Sequence, residues 1–591
     1  MPNLKYYLIT TADERTWKFD RPVLFLGEWC CLYNRKHIWQ NMDAIIAEPY
    51  GLGQKQKDLD YLETRALEKK LFPFLCDALN KYHGTDHQLR FWQIVIGHWF
   101  RRYINVIFNR VKTLEQCEKL YKLSGTTTFD IDYYNLAPLD SNAAILAFND
   151  DSWNNELYVR ILDLLGNTSC PIEKIATNEG SGFKWNLPTK RITTKQKIKR
   201  WIYWNLDFIT GLLLKERDAL IISSFLPKKD AFKLHLSLKQ VPQVFFPSQI
   251  KQIKTPNQEL RNTLSNQLSL KVKNNTHHNI FSSLIFELLP VCYLEGFSDL
   301  LSNVQKLRWP KNPKFIFTSN NFDTDEIFKL WTAQKVEAGV KYFVGQHGNN
   351  YGTHRYINPS IEELTPDKFL TWGWTDHLPQ HTPTFIFKKY KKNSKLFNPL
   401  GGLLLIEDML YHRMDTWDTA FEFEACFKEH KKFVENLETK IRDDLTIRVH
   451  HSQKLLRSFA LSRWHDYDSN LNIDDGKNSI NDLISKSRLV IQGYDSTGIL
   501  ETLSKNIPTL AFWDNDLEHL RDSALPYYQL LIEAGIVHLS SDSVVLKVNE
   551  VWDDIDQWWG SKEIQEARNT FCERYARVSQ DRIQDIKKAL H

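Results

Sequence analysis

Cysteine is scarce and unpatterned in this 591-residue chain. There are eight, Cys30, Cys31, Cys76, Cys117, Cys170, Cys292, Cys426 and Cys572, with no C-x-x-C pair among them. That scatter argues against a disulfide framework or a thiolate zinc site and for a reducing compartment. An excess of one charge is missing too. The 76 basic and 72 acidic residues leave a net +4, too near neutral for a nucleic-acid surface. The balance is compatible with an anionic small substrate or with loose contact to an anionic membrane face. No stretch reaches the ~18 apolar residues of a membrane span. The apolar opening is broken by Asp13, Glu14 and Arg15 and lacks the basic start and long apolar core of a signal peptide. The expectation is a cytoplasmic protein.

What is present is ordinary for a globular chain: 42% hydrophobic and 25% charged residues. The length calls for two or more domains. Nineteen tryptophans and 13% aromatics suit stacking against sugar C–H faces, although core filling accounts for most of them.

The most informative stretch runs from Leu489 to Trp513. It reads as a buried strand, a polar turn, a short helix, a Pro508-marked turn and a second buried strand, one βαβ unit of a parallel sheet. Ser496, Thr497 and Gly498 stand at the helix start, where unpaired N–H groups and the helix dipole welcome an anion. Glu501 follows about one turn later, within reach of ribose hydroxyls. The unit is read as the phosphate seat of a sugar transferase; an ordinary capped βαβ unit is the plain alternative.

A second such stretch follows the strand Lys341–Gly345. Gln346-His347-Gly348-Asn349-Asn350-Tyr351-Gly352-Thr353-His354 is a polar, glycine-rich loop able to approach a ligand closely. A histidine there suits a general base near neutral pH. At the N-terminus, strand-like Tyr6–Thr11 and Val23–Gly27 are followed by Asp13 and Glu28, carboxylates in position to face a ligand crevice. Residues 55–125 have helical spacing, and Arg90–Arg110 is rich in aromatics and arginine, which favours a core helix over an acceptor or membrane surface. The basic run Lys388–Lys395 reads as an interdomain linker. Beyond it Leu445–His451 is a strand with a basic tip, on which Arg448 and His450 share one face and suit phosphate. The expected division is 1–390, with the helical insertion at about 55–125, then 391–560, then a helical tail 561–591.

Several of these residues carry a resemblance. Thr10-Thr11-Ala12, Glu14, Thr16-Trp17, Pro22 to Cys30 and Tyr33 resemble the N-terminal signature of a full-length family of transferases found in bacterial O-antigen gene clusters. Tyr293-Leu294-Glu295-Gly296, Gly345-Gln346-His347-Gly348 with Tyr351-Gly352, and Ser496-Thr497-Gly498 with Glu501 continue it over nearly the whole chain. One departure is Ala47–Gly53, where the family has a Tyr-His-Trp-Asp-rich segment. More distantly, the C-terminal half is similar to capsule Kdo transferases and related CMP-sugar enzymes of the GT-B type. In those enzymes a Ser-Ser/Thr…Glu helix start holds the CMP phosphate and ribose; Arg448 and His450 match their basic strand end only in part. Gln346-His347-Gly348 also resembles the His-Gly loop of wall teichoic acid glycerophosphotransferases, where the histidine is the base.

The resemblance implies an α/β fold of GT-B type, two Rossmann-like domains facing a central cleft. It implies a glycosyltransferase moving a CMP-activated acidic sugar, Kdo or a nonulosonate, onto a surface-polysaccharide or lipid-linked acceptor at the inner membrane face. The expected base is His347, Glu28 or Asp13. If configuration is retained, Asp13, Glu28 or Asp151 attacks the anomeric carbon instead. The nucleotide would meet Arg448, His450, Ser496, Thr497, Gly498, Glu501, Gln346 and Gly348. The nucleotide sugar is a co-substrate, and no metal or other cofactor is expected. Rival readings are a metal-dependent UDP- or GDP-sugar transferase using Asp514-Asn515-Asp516, a non-catalytic glycan-binding component of an assembly complex, and a nucleotide-sugar isomerase.

Overall fold

The computed structural model describes residues 4–166, 170–177, 194–243, 245, 254–272, 276–388, 396–407, 413–452, 457–514 and 516–591. Past Lys388, the basic run expected as a linker lies outside the described residues. Among the described residues no helix is long and apolar enough to cross a membrane.

Three parallel sheets organise the chain. The first holds β1 (Tyr6–Ile9), β2 (Val23–Phe25), β3 (Ala44–Ile46), β4 (Leu123–Phe129) and β5 (Ile172–Ile175), in the order β3-β2-β1-β4-β5. The second holds β6 (Leu220–Ile222), β7 (Phe315–Thr318), β8 (Lys341–Gly345), β9 (Lys368–Thr371) and β10 (His381–Pro383), in the order β10-β9-β8-β7-β6. The third holds β11 (Gly402–Ile406), β12 (Leu445–Arg448), β13 (Asn472–Asp474), β14 (Ser487–Gln492), β15 (Thr509–Phe512) and β16 (Val537–His538), in the order β13-β12-β11-β14-β15-β16. The α/β class with parallel sheets is as expected, and the N-terminal span carries two sheets rather than one. Central strands such as Leu403-Leu404-Leu405 and Leu489-Val490-Ile491 are buried throughout, because a parallel sheet is covered on both faces.

The first and third sheets each have a point where strand order reverses, between β1 and β4 and between β11 and β14. At such points the loops leaving the strand C-termini diverge and open a crevice. The third sheet meets both others there. Beyond β11 and β12, Arg413 stacks 3.9 Å over the Trp29 ring and Arg457 pairs with Asp151 of the first sheet. Beyond β14 and β15, Asp495, Thr497 and His519 touch the loop that leaves β8 in the second sheet.

The helical insertion consists of Gln54–His83 and Leu89–Leu120, which pack together. The arginines of the second helix point to protein partners: Arg90 to the Thr365 carbonyl, Arg101 to Glu68, Arg102 to Asp323 and buried Arg110 to Asn154. That is the core-helix reading. Tyr293 and Glu295 also brace the interior. The Tyr293 hydroxyl meets Glu326, Lys329 and Ser141, while Glu295 holds the buried Arg261 guanidinium at 2.6–2.7 Å. The C-terminal tail is helical, and after Lys562–Tyr575 it leaves the third sheet. Arg577 exchanges backbone bonds with Trp372 and Ile386, and the helix Arg582–Ala589 buries Ile586 and Leu590 in the core of the second sheet.

Candidate functional site

Gly345 ends β8, and the chain turns sharply into the His347 loop. Gln346 holds that loop in place. Its amide oxygen accepts from the Trp372 N–H and the Trp374 indole, both at 2.8 Å, and its amide nitrogen donates to the Gly348 carbonyl at 2.9 Å. Gln346 was expected to touch the nucleotide; it is 1% exposed and fully engaged within the protein. Gly352 closes the turn at φ +71, where a Cβ would lie 2.4 Å from the Trp374 ring, so only glycine fits.

His347 is half-buried between Phe225 and Phe322. Its Nδ1 lies 3.1 Å from the Tyr351 hydroxyl, which is 2.6 Å from Glu362 Oε1. A phenol has one proton, and the shorter bond to the carboxylate takes it. The Tyr351 oxygen then accepts from His347 Nδ1–H, leaving Nε2 with its lone pair. Burial lowers the affinity of His347 for a proton, and Lys388 adds to this against Glu362 and Asp323, so the imidazole titrates below the ordinary histidine range. Burial opposes the charge of Glu362, but the neighbouring histidines and the Tyr351 hydroxyl outweigh it and hold the carboxyl below its ordinary range; of these, the hydroxyl bond persists when the imidazoles are neutral. The result is a neutral imidazole, oriented by a phenol and a carboxylate, with an accepting nitrogen.

Across the cleft, Ser496 caps the helix Thr497–Ser504 by accepting from the Gly498 N–H at 3.0 Å and donating to Gln492 at 3.1 Å. Gly498 lets the helix approach β14, since a Cβ there would lie 2.6 Å from the Gln492 amide. Thr497 accepts from the Asn349 N–H at 2.9 Å, and the Asn349 amide donates to Asp495 at 2.8 Å. Asp495 also accepts from the Tyr528 hydroxyl and meets His519 at 3.1 Å. The His347 loop is therefore stitched to the helix start, and the structure brings His347, Gly348, Ser496, Thr497 and Gly498 together. Glu501 lies one turn along the same helix, paired with Lys388 at 3.2 Å and Lys505 at 3.6 Å. Lys388 is thus paired with Glu501 and also acts electrostatically on His347.

Beside this cluster, past the ends of β14 and β15, lies a cavity of about 360 Å³. Trp417, Phe421, Tyr356 and Trp513 give it aromatic walls, and Asp495 borders it.

Other expected site residues lie elsewhere. Arg448 is spent on Asp474 and on the Asn478 and Gly476 carbonyls. It ends β12, two strand spacings or about 10 Å from β14, so it does not join Ser496. His450 accepts from the Ser452 N–H on that same side. Asp13 caps a short turn and grips Arg15 at 2.5–2.8 Å. Asp151 pairs with Arg457 and accepts from the Ala12 N–H. Glu28 is raised above the usual carboxylate range by burial and by Glu424 and Asp418. These three carboxylates line the junction of the first and third sheets, apart from His347. A second Asp-x-Asp triplet, Asp323-Thr324-Asp325, is occupied within the protein: Asp323 is held by Arg102 and Asp325 caps a helix. Asp514 borders the cavity, and Asn515 is outside the described residues. Among the described residues no group of three or more His, Cys, Asp or Glu is arranged to hold a metal ion.

Tyr351 was visible as part of a motif, but its role as a bridge was not. Glu362, Lys388, Asn349 and Asp495 were missed as site residues. The Tyr351–Glu362 bond spans eleven residues and the Asn349–Asp495 bond 146, and no local pattern encodes such pairings.

A sequence profile described as LIC12162 family transferase matches residues 6–590. Comparison with curated proteins finds no match. Among solved structures, the chain is similar to a candidate UDP-N-acetylglucosamine 2-epimerase from Listeria monocytogenes, at 11% identity over 62% of this chain and 100% of that one, with TM-score 0.32. It is also similar to the spinosyn rhamnosyltransferase SpnG complexed with spinosyn aglycone, at 10% identity over 63% and 99%, with TM-score 0.29. A third is SsfS6, a Streptomyces sp. SF2575 glycosyltransferase, at 10% identity over 63% and 90%, with TM-score 0.26. No residue role is taken from these structures.

Proposed function

The chain belongs to the LIC12162 transferase family, and we propose that the group it transfers is a sugar carried on a nucleotide. The observation that carries this reading is the bond from the Asn349 N–H to Thr497 at 2.9 Å. It sets an oriented, accepting histidine beside a helix start suited to phosphate. The nucleoside occupies the aromatic-walled cavity off β14 and β15, and the phosphate rests near Thr497 and Gly498. His347 Nε2 takes the proton of an acceptor hydroxyl as its oxygen bonds to the anomeric carbon. The bond from that carbon to the phosphate oxygen breaks. The positive end of the helix and Lys388 receive the developing negative charge, which gives the reaction a route without a metal. A GT-B type arrangement is supported by the second and third sheets, whose strand ends meet at this point.

The finer parts of the proposal are a CMP-linked acidic sugar and a surface-polysaccharide acceptor of the O-antigen kind, handled at the inner membrane face. They rest on the resemblance of Ser496-Thr497-Gly498 and Gln346-His347-Gly348 described above. A thermal-shift screen against CMP, CDP, UDP and GDP tests the donor. A nucleotide at a hundredfold its dissociation constant adds about 2.7 kcal/mol to the folded state, and CMP is expected to give the largest shift. Absence of a shift with all four overturns the proposal.

A further inference from the structure

Seven of the eight cysteines are buried; Cys426 is partly exposed and borders the 360 Å³ cavity. It lies on the helix Thr419–Asn436, one turn before His430. Its Sγ is 3.5 Å from His430 Nε2, and His430 Nδ1 is 3.6 Å from Glu407 Oε1. Glu407, just past β11, is itself fixed by the Trp464 indole at 3.0 Å. A thiol, an imidazole and a carboxylate thus stand in line at the point where the third sheet reverses its strand order.

The imidazole is hydrogen-bonded on one side, and its Nδ1 faces Glu407 beyond hydrogen-bond distance. Its Nε2 donates to the Gly493 carbonyl at 2.8 Å, and a Cβ on Gly493 would lie 2.3 Å from that nitrogen. The ring fits only because position 493 is glycine. Burial works against a charged His430, but Cys426 and Glu407 outweigh it and lift the ring well above the ordinary histidine range. An imidazolium beside a sulfur favours the thiolate, the nucleophilic form.

We propose that Cys426, with His430 and Glu407, is a nucleophilic thiol opening onto the cavity, and a modification site for soft electrophiles and peroxides. With iodoacetamide the thiolate sulfur bonds to the methylene carbon, the carbon–iodine bond breaks and iodide leaves. With hydrogen peroxide the thiolate attacks one oxygen and the O–O bond breaks. Sulfur is oxidised to a sulfenic acid, peroxide is reduced and hydroxide leaves.

The groups around Cys426 bear on which reagent it takes. Glu422 and Glu429 share its helix; Asp495, Asp514 and Glu518 come from the loops after β14 and β15; Lys57 comes from the helical insertion. Glu422 is paired with Lys57, Glu429 accepts from Ser541, and Asp495 is bonded as described above. The rim stays acidic, so a neutral reagent enters more readily than an anionic one.

The test is alkylation of the full chain with iodoacetamide, with each cysteine followed by peptide mass spectrometry. At pH 7 Cys426 is expected to react at least about tenfold faster than any other cysteine, and faster with iodoacetamide than with iodoacetate. Between pH 7 and 9.5 an ordinary thiol gains about thirtyfold in thiolate and hence in rate. Cys426 paired with imidazolium should gain less than about threefold, and H430N should restore the steep rise. Brief peroxide followed by dimedone should label Cys426 first. The wild-type pH profile needs no variant, and E407Q is a second, milder change expected to steepen it. A thirtyfold rise in the wild type, or a profile that H430N and E407Q leave unmoved, overturns the proposal.

Discussion

Protonating His347 removes its accepting nitrogen, so the pH at which transfer fails is set by the groups around one imidazole. His347 titrates below the ordinary histidine range, and a base works only when unprotonated. Transfer should therefore hold through neutrality and fall as pH drops below about 6.5. Lys388 lowers the proton affinity of His347 and Glu362 raises it. In a pH profile of kcat/KM, K388M should move the acid limb to higher pH and E362Q to lower pH. Opposite directions for these two would remove His347 from the role of base. H347A should lose at least about a hundredfold in kcat while keeping the nucleotide-induced thermal shift. His347 was legible because it stood directly after an apolar strand, at the start of a glycine-rich loop. Its partners were not, because Glu362 sits on the four-residue helix Ile361–Leu364, too short to leave a periodic signal.

Helix Thr497–Ser504 depends on two hydroxyls with separate duties. Ser496 caps it, and S496A should cost about 1 kcal/mol, read as a lower denaturation temperature. Thr497 instead accepts from the facing loop, so T497V keeps the volume but leaves the Asn349 N–H without its acceptor, a loss of about 1–3 kcal/mol if no water replaces it. Its effect should appear in KM for the nucleotide sugar more than S496A does. Equal effects of the two variants on KM would mean that the stitch has no part in binding. At this scale the sequence was most readable. Apolar runs bounded by turn residues marked β8 and β11 at their observed limits, and the βαβ unit appears as β14, helix and β15. The strand β4 was missed: the expected helical stretch ran to 125 and covered only its first three residues. Its residues Gly125-Thr126-Thr127-Thr128 look polar in sequence, yet Thr126 donates to the Leu8 carbonyl and Thr127 meets the Tyr7 hydroxyl inside the sheet. Threonine is as β-branched as valine and satisfies its own hydroxyl there.

The whole molecule is held by contacts between sheets that are far apart in sequence. Arg413 is 7% exposed, lies over Trp29 and donates to the Tyr158 hydroxyl. R413M removes that clamp between the first and third sheets and should cost about 2 kcal/mol or more. It should lower the first thermal transition while leaving His347 chemistry intact below it. Much of the N-terminal signature serves the same end, since the Trp29 and Trp17 indoles donate to the Thr10 and Thr11 carbonyls. A pattern that reads as functional in sequence can thus belong to the frame that positions function.

The crossing of the tail has its own consequence. The helix Lys562–Tyr575 belongs to one wall of the cleft and the helix Arg582–Ala589 to the other, with only 576–581 between them. Because Arg577 is already bonded to Trp372 and Ile386 of the second wall, that span has little slack, and the walls can rock apart only as far as those bonds give. Distances measured between spin labels on the two helices would therefore report directly on the gape of the enzyme as substrates come and go.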